Sequence, residues 1–258
     1  MKKLMTYLID IIITSPPYNI GINYGTYYND NKTKAEYLEW LEQIARESLS
    51  VLKENGSFFL NVGHTSKTPL LPFEIATKFE QVGYKLQNTI MWVKSISIDN
   101  EDIGKSNCSI SEDISVGHFN PINSRLYLNN CFEYIYHFTK SRNVKINKLA
   151  DGLAVPYQDK SNIGRYSNKD KRDRGNIWFI PYKTIQIKRK HPSAFPIKLP
   201  MNCIKLHGYN KNTIVYDPFI GSGTTALASI ELCVNYLGTE ISNEYVKLAK
   251  ERINMKFR

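Results

Sequence analysis

The amino-acid sequence predicts an α/β fold, in which a mainly parallel sheet carries helices on its faces. The alternation of two kinds of segment supports this prediction. Short apolar runs that suit buried strands alternate with stretches whose apolar residues recur at helical spacing. This alternation is typical of parallel sheets, because each strand needs a crossover to reach its neighbour. The chain has 258 residues, of which 42% are hydrophobic, so it can bury the core of one large domain.

The predicted elements begin with an apolar strand through Ile11, Ile12 and Ile13, which ends at two consecutive prolines. A helix follows over about 37–52 and is predicted to end at Asn55-Gly56. Further strands are predicted at 57–62, 84–94, 131–138, 213–216 and 236–240. Helices are predicted at about 71–82 and 197–206, after Thr225, and after Ser242 as an N-cap. Residues 95–130 lack periodicity and are interpreted as a functional or mobile loop.

Composition and charge indicate the class of partner. The formal net charge of +10 favours a polyanionic partner such as a nucleic acid. No run approaches the ~18 to 20 apolar residues of a membrane span, and Met1-Lys2-Lys3 leads straight into the first strand without a signal pattern. We therefore expect a cytoplasmic protein without a membrane partner. The four cysteines have no paired spacing, so neither a metal site nor a disulfide framework is expected.

Residues 140–190 are the least regular and most basic part of the sequence. Trp178, Phe179 and Tyr182 are interleaved with the basic residues, and this mixture suits phosphate contacts and base stacking. A solvated basic loop without a ligand is the alternative. The candidate DNA-binding residues in this segment are Arg165, Lys169, Lys171, Arg172 and Arg174.

The loop at the end of the first strand reads Thr14-Ser15-Pro16-Pro17-Tyr18. In an open α/β sheet, ligands bind at the carboxyl ends of the strands, and Tyr18 there offers a flat face with a polar end. An ordinary turn after a proline-terminated strand is the alternative.

A second loop, Asp-Pro-Phe-Ile-Gly-Ser-Gly-Thr-Thr over residues 217–225, is predicted to join a strand to a helix. Gly221 and Gly223 lack the Cβ atoms that would keep a ligand from the backbone. The pattern differs from a phosphate-binding P-loop, because Thr224 rather than Lys follows Gly223. A nucleoside-type cofactor fits better, since Glu240 ends the next strand and can accept hydrogen bonds from a ribose diol.

Taken together, the two loops resemble those of the S-adenosylmethionine-dependent amino-group DNA methyltransferases, in the permuted motif order termed β. The resemblance implies a Rossmann-like methyltransferase fold, circularly permuted, whose mainly parallel sheet has one antiparallel strand and an inserted target-recognition region. It also implies a catalytic half over residues 1–139, the target-recognition region over 140–190 and a cofactor-binding half over 191–258. The family usually has a further strand before the catalytic motif, whereas here only Met1 to Leu8 precede the first apolar run.

The resemblance further implies roles for individual residues. Residues 191–196 resemble the segment that encloses the methionine part of the cofactor, and Glu133-Tyr134-Ile135 and Trp92-Val93-Lys94 are similar to weaker motifs. The implied catalytic residues are Ser15, Pro16, Pro17 and Tyr18. The implied cofactor-binding residues are Thr14, Phe195, Asp217, Pro218, Phe219, Gly221, Ser222, Gly223, Thr224, Thr225 and Glu240.

Within the family, Ser before the two prolines goes mostly with methylation of cytosine at N4, so Ser15 implies that activity. The implied partners are double-stranded DNA and a cognate restriction endonuclease that shares the site. Two alternatives stay open: an N6-adenine methyltransferase, and a DNA-binding module without catalysis. The sequence is silent on oligomeric state.

Overall fold

The computed structural model describes residues 8–24, 27–103, 112–118, 121–156, 171–181 and 194–256. Five α-helices lie in these ranges: α1 (Lys34–Val51), α2 (Leu71–Val82), α3 (Lys198–His207), α4 (Thr224–Glu231) and α5 (Asn243–Lys256). The strands are β1 (Ile9–Thr14), β2 (Leu52–Val62), β3 (Lys85–Val93), β4 (Ser95–Ile98), β5 (Ile114–Gly117), β6 (Phe132–Thr139), β7 (Val155–Pro156), β8 (Lys171–Arg172), β9 (Ile177–Phe179), β10 (Ile214–Asp217) and β11 (Asn235–Gly238).

Seven of these strands form one sheet in the order β11-β10-β1-β2-β6-β3-β9. Strand β1 lies between β2 and β10 and is parallel to both. Strand β6 runs antiparallel to β2 and β3, whereas β9 is parallel to β3 and β11 to β10. The prediction of a mainly parallel sheet with one antiparallel strand is confirmed. The carboxyl ends of β1, β2, β3, β10 and β11 consequently share one edge of the sheet.

The apolar residues of β1 hold the strand at the centre of the molecule. Ile12 packs on one face of the sheet in a cluster with residues of α1 and α2, including Leu41. Ile11 and Ile13 pack on the other face in a cluster with residues of α3 and α4, including Leu199. Both faces are therefore covered, as a parallel strand requires. Each fully buried isoleucine contributes about 1.5–3 kcal/mol by leaving water.

Two sequence-based assignments differ from the structure. Helix α1 ends at Val51, not at Asn55-Gly56, because Leu52 is buried and already pairs with Ile9 of β1. Gly56 lies inside β2, where an added Cβ would come within 2.6 Å of the Leu52 side chain and 3.0 Å of the Asp10 carbonyl oxygen. The segment 95–130 is also more regular than expected, since β4 and β5 form an antiparallel pair within it.

The basic segment contributes to the sheet core as well. Strand β9 pairs with β3, and the side chain of Trp178, the central residue of β9, is only 2% exposed. The Trp178 indole N–H donates to the Gly175 carbonyl at 3.1 Å. The expectation that Trp178 stacks on bases was therefore wrong, and Tyr182 lies outside the described residues. No helix in the described part of the chain combines the length and the hydropathy needed to cross a membrane.

Candidate active site

A cavity of about 1130 Å³ opens where the strands β1, β2, β3, β10 and β11 end. Its wall includes the loop after β1, with Ser15 and Tyr18, and the loop after β10, from Asp217 to Ser222. Glu240 follows β11, and Phe195 precedes α3; both face the same space. The fold thus brings together two predicted loops that lie about two hundred residues apart in the sequence.

A chain of hydrogen bonds begins at Ser15. The Ser15 Oγ lies 2.9 Å from the Tyr18 hydroxyl, and the Tyr18 hydroxyl donates to Glu133 Oε2 at 2.9 Å. The Asn61 side-chain amide donates to the Tyr18 hydroxyl oxygen at 2.6 Å and to Glu133 Oε2 at 2.8 Å. Lys94 pairs with the other carboxylate oxygen, Glu133 Oε1, at 2.8 Å.

The direction of the protons in this chain follows from the groups themselves. A carboxylate only accepts hydrogen bonds, so the single Tyr18 proton is directed toward Glu133. The Ser15 hydroxyl must then donate its own proton to the Tyr18 oxygen. This leaves Ser15 Oγ as an acceptor. The Asn61 side-chain amide donates to it at 3.4 Å, and its remaining lone pair is available to a ligand in the cavity, which Ser15 lines. The site can therefore hold a donor group, such as an amine, at Ser15.

The Tyr18 ring occupies space that is open because residue 63 is a glycine. A Cβ on Gly63 would come within 2.7 Å of Tyr18 Cε2, so any larger residue there would displace the ring. The loop that follows is ordered by Asp30, which is buried. Its carboxylate accepts hydrogen bonds from the backbone amides of Asn19, Ile20 and Ile22 at 2.8–3.2 Å.

Asp217 joins the two loops. Its carboxylate is 1% exposed and accepts hydrogen bonds from the Thr14 hydroxyl at 2.8 Å and the Thr225 hydroxyl at 2.6 Å. The Phe219 backbone amide donates to it as well, at 3.0 Å. Burial raises the pKa of Asp217 to about 6, although the hydroxyl donors oppose that shift. Asp217 thereby fixes the end of β1 against the start of α4.

Glu240 closes the second loop from the opposite side. Its carboxylate accepts the Gly221 backbone amide at 2.9 Å and the Ser242 backbone amide at 2.9 Å. Behind the loop, the Arg252 guanidinium of α5 donates to the Ser222 carbonyl at 2.6 Å and the Ser222 hydroxyl at 2.7 Å. The conformation of the loop is thus set by charged side chains on both sides of it.

Gly223 is the N-cap of α4 and has a φ of 82°, which L-residues with a side chain rarely adopt. A Cβ at this position would also lie 3.1 Å from the Cβ of Ala249 in α5. Packing against α5 therefore requires a glycine at this position.

Most of the predicted site residues face the cavity. These are Ser15, Pro16, Pro17, Tyr18, Phe195, Asp217, Pro218, Phe219, Gly221, Ser222, Thr224 and Glu240. Thr14, Gly223 and Thr225 are buried behind its wall, where they hold Asp217 or pack on α5. Of the segment 191–196, residues 191–193 lie outside the described residues.

The sequence profile of the DNA methylase family (N6_N4_Mtase) matches residues 9–251, which contain every element of this cavity. The chain belongs to the DNA methylase family.

Individual relatives agree with this assignment. The orphan methyltransferase M.BamHII of Bacillus amyloliquefaciens is 33% identical to the methylase over 269 residues, covering 95% of the chain and 88% of the relative. The DNA adenine methyltransferase YhdJ of Escherichia coli (strain K12) is 24% identical, with 99% of the chain and 79% of that protein covered.

Solved structures share the fold. The PvuII DNA methyltransferase (cytosine-N4-specific) has a TM-score of 0.67 at 19% identity, covering 97% of the chain and 81% of that protein. The M1.HpyAVI–SAM complex has a TM-score of 0.53 at 24% identity, covering 95% of the chain and 89% of that protein. The α/β fold of the methylase is therefore that of S-adenosylmethionine-dependent DNA methyltransferases.

Several residues of the methylase site escaped the sequence interpretation. Glu133 and Lys94 were noted only as parts of weak motifs, and Asn61, Asp30 and Arg252 were missed. A signal for Asn61 exists, because it is a buried amide in the otherwise apolar second half of β2, residues 58–62, one residue before the strand ends. No comparable local signal marks Asp30 or Arg252.

The predicted DNA-binding residues of the methylase lie apart from this network where they are described. Lys171 and Arg172 are exposed on β8, and Lys171 pairs with Asp151 at 2.9 Å. The Arg174 Nε donates to the Leu153 carbonyl at 2.9 Å. Arg165 and Lys169 lie outside the described residues.

Proposed function

We propose that this methylase transfers a methyl group to the N4 amino group of a cytosine that has been rotated out of double-stranded DNA. The observation that carries the proposal is the acceptor state of Ser15 Oγ, which faces the cavity and is held by Tyr18 and Glu133. A target base inside a duplex cannot reach a cavity of this kind, so it must first leave the helix.

The methyl donor is S-adenosylmethionine, and the residues present fit it. The Glu240 carboxylate faces the cavity and suits a ribose diol, while Phe219 and Ile241 supply apolar surface on the same wall. Phe195, just before α3, lines the part of the cavity where the methionine part of the cofactor would be enclosed. When bound, the cofactor supplies an electrophilic methyl group on its sulfonium.

The chain's own residues would orient and activate the amine. An exocyclic amine of a base is a weak nucleophile, because its lone pair is delocalised into the ring. A hydrogen bond from that amine to Ser15 Oγ, with a second to the Pro16 carbonyl, would draw the lone pair out of conjugation and fix its direction. Tyr18, which lines the cavity, would stack on the base.

The same hydrogen bonds offer a path for the proton that the amine must lose. Ser15 Oγ would accept that proton while its own proton moves to the Tyr18 oxygen, and the Tyr18 proton moves to Glu133 Oε2. Asn61 and Lys94 hold the carboxylate in place at the end of this path. No covalent bond between protein and base is needed.

The choice of cytosine rests on Ser15, since Ser at this position goes mostly with N4-cytosine activity in the family that the chain resembles. N6-adenine methylation is the second candidate, and a relative named as a DNA adenine methyltransferase favours it. The proposal also includes DNA contacts by Arg165, Lys169, Lys171, Arg172 and Arg174, a restriction endonuclease that shares the site, and action in the cytoplasm, where both substrates are available.

Nucleoside analysis tests the proposal. The protein is incubated with unmethylated DNA and labelled S-adenosylmethionine, the DNA is digested to nucleosides, and these are separated by chromatography. We expect the label in N4-methylcytosine. Label in N6-methyladenine would replace cytosine by adenine, and label in 5-methylcytosine would contradict the amine mechanism. Tight DNA binding without detectable cofactor binding in calorimetry would instead support a module without catalysis.

A further inference from the structure

The segment from Ile122 to Asn130 carries exposed apolar side chains that the proposed chemistry does not use. Leu126 and Leu128 are 83% and 90% exposed, and Tyr127 between them is also exposed. Single exposed leucines are common, but three consecutive large apolar side chains in water indicate a surface that a partner covers. We call Leu126, Tyr127 and Leu128 the apolar tip.

The residues that flank the apolar tip are held in place by hydrogen bonds. The Ile122 backbone amide donates to Asn129 Oδ1 at 2.7 Å, which closes the segment on itself. The Asn130 side-chain amide donates to the His64 carbonyl oxygen at 2.9 Å, and this bond ties the segment to the end of β2. The apolar tip is thus presented on a fixed base.

That base belongs to the active site. Ile122 and Asn130, on the two sides of the apolar tip, line the same cavity as Ser15, Tyr18 and His64. The chain therefore leaves the cavity rim, exposes the apolar tip and returns to the rim. The apolar tip therefore lies between two residues that line the cavity of Ser15.

The charge around the apolar tip fits a polyanion. Residues 121–130 contain one basic residue, Arg125, and no carboxylate, within a chain whose net charge is +10. DNA combines a negative backbone with an apolar interior. When one base leaves the stack, the gap is bounded by the ring faces of its neighbours, and apolar side chains can fill such a gap.

We propose that the apolar tip enters the duplex at the target site and fills the space that the departing base leaves. This inference rests on the proposed function, because it needs a base that leaves the helix. Its role is to lower the cost of the flipped state, so it acts on the opening of the base pair and not on methyl transfer itself.

The test uses two substrates for one variant. The methylated site is first identified by sequencing DNA treated with the wild-type protein. Two duplexes of that sequence are then made, one with the target base normally paired and one with an abasic position opposite it. The variant combines Leu126→Ala and Leu128→Ala, and the matched control is Met255→Ala, since Met255 is also a large apolar side chain, 71% exposed, on α5.

We expect the double variant to lose about tenfold or more in kcat/KM on the paired duplex. On the duplex with the abasic position, where the base is already unpaired, it should match the wild type within about twofold. The control should match the wild type on both. Equal losses on both duplexes, or no loss on either, would overturn the proposal.

The behaviour of the wild-type protein distinguishes a failure of the proposed function from a failure of the role of the apolar tip. If DNA treated with the wild-type protein contains no methylated site, the proposed function fails, and the role of the apolar tip fails with it. If the wild-type protein methylates both duplexes and the variant behaves as the control does, only the role of the apolar tip is wrong.

Discussion

The loop after β1 and the loop after β10 face the same cavity but use their side chains in different ways. In the first loop, the hydroxyls of Ser15 and Tyr18 bond to other side chains and face the ligand space. In the second, the Asp217 carboxylate turns into the protein, where it accepts hydrogen bonds from hydroxyls and an amide.

This difference predicts different functions for the two loops. Hydroxyls and a carboxylate that bond to one another at the cavity surface can hold and move protons. A buried carboxylate that accepts hydrogen bonds from both loops and from α4 fixes the shape of the backbone. We therefore expect changes in the first loop to alter the rate of methyl transfer. Changes in the second should alter cofactor affinity or stability.

The largest effect is expected from Ser15→Ala. The variant removes the acceptor for the amine and the first link of the proton path, so turnover should fall by about a hundredfold or more. Cofactor affinity should change little, because the β10 loop is untouched. Label incorporation into DNA under saturating cofactor measures the effect. The matched control is Ser50→Ala, an exposed serine near the end of α1, which should keep wild-type turnover.

A smaller loss of turnover is expected from Glu133→Gln. An amide is a weaker acceptor for the Tyr18 proton, and a charge-assisted hydrogen bond contributes about 1.5–3 kcal/mol, so turnover should fall about tenfold to a hundredfold. Glu54→Gln is the control, since Glu54 also pairs with a lysine, Lys140, but is 77% exposed. Wild-type turnover in Glu133→Gln would exclude Glu133 from the proton path.

In the second loop, Glu240→Ala should weaken S-adenosylmethionine binding by about tenfold to thirtyfold, with little effect on turnover at saturating cofactor. The variant removes the acceptor for the ribose and releases the Gly221 and Ser242 amides. Isothermal titration calorimetry gives the dissociation constant. Glu244→Ala, on the exposed first turn of α5, should bind the cofactor as the wild type does.

The smallest effect is a pH dependence of stability that Asp217 causes. Its pKa is raised from 3.8 to about 6, so the native state holds this proton more tightly than the unfolded state between these pH values. The corresponding stability is present below about pH 4 and is lost as the pH rises through about 6. Between pH 5 and pH 7.5, the free energy of unfolding of the wild type should fall by about 1 kcal/mol relative to Asp217→Asn. Urea unfolding of both proteins at the two pH values measures the difference, and parallel curves would contradict it.

Local sequence patterns predicted much of the fold. The prolines after β1, the glycine after α2 and the Asp217–Thr225 string mark the ends of elements, and the structure places these ends near their expected positions. The two loops at the cavity were predicted because each carries its own motif. The local motifs did not reveal that the hydroxyls of Thr14 and Thr225 donate hydrogen bonds to the Asp217 carboxylate.

The contacts of Glu133, Arg252 and Trp178 depend on pairing and packing between distant segments, which no local pattern reveals. Glu133 reaches Lys94 and Asn61 because β6 pairs antiparallel with both β3 and β2. Arg252 reaches Ser222 across thirty residues of intervening chain. Trp178 was misinterpreted because an aromatic residue among lysines and arginines has the same local pattern in a buried edge strand as in a nucleic-acid surface.

The division of labour between the two loops is tested most directly by single-turnover methyl transfer, measured over a range of S-adenosylmethionine concentrations for Ser15→Ala and Glu240→Ala. For Ser15→Ala, we predict a lower maximal rate with an unchanged half-saturating concentration. For Glu240→Ala, we predict a higher half-saturating concentration with a nearly unchanged maximal rate. If both parameters change equally in each variant, the two loops do not have separate functions.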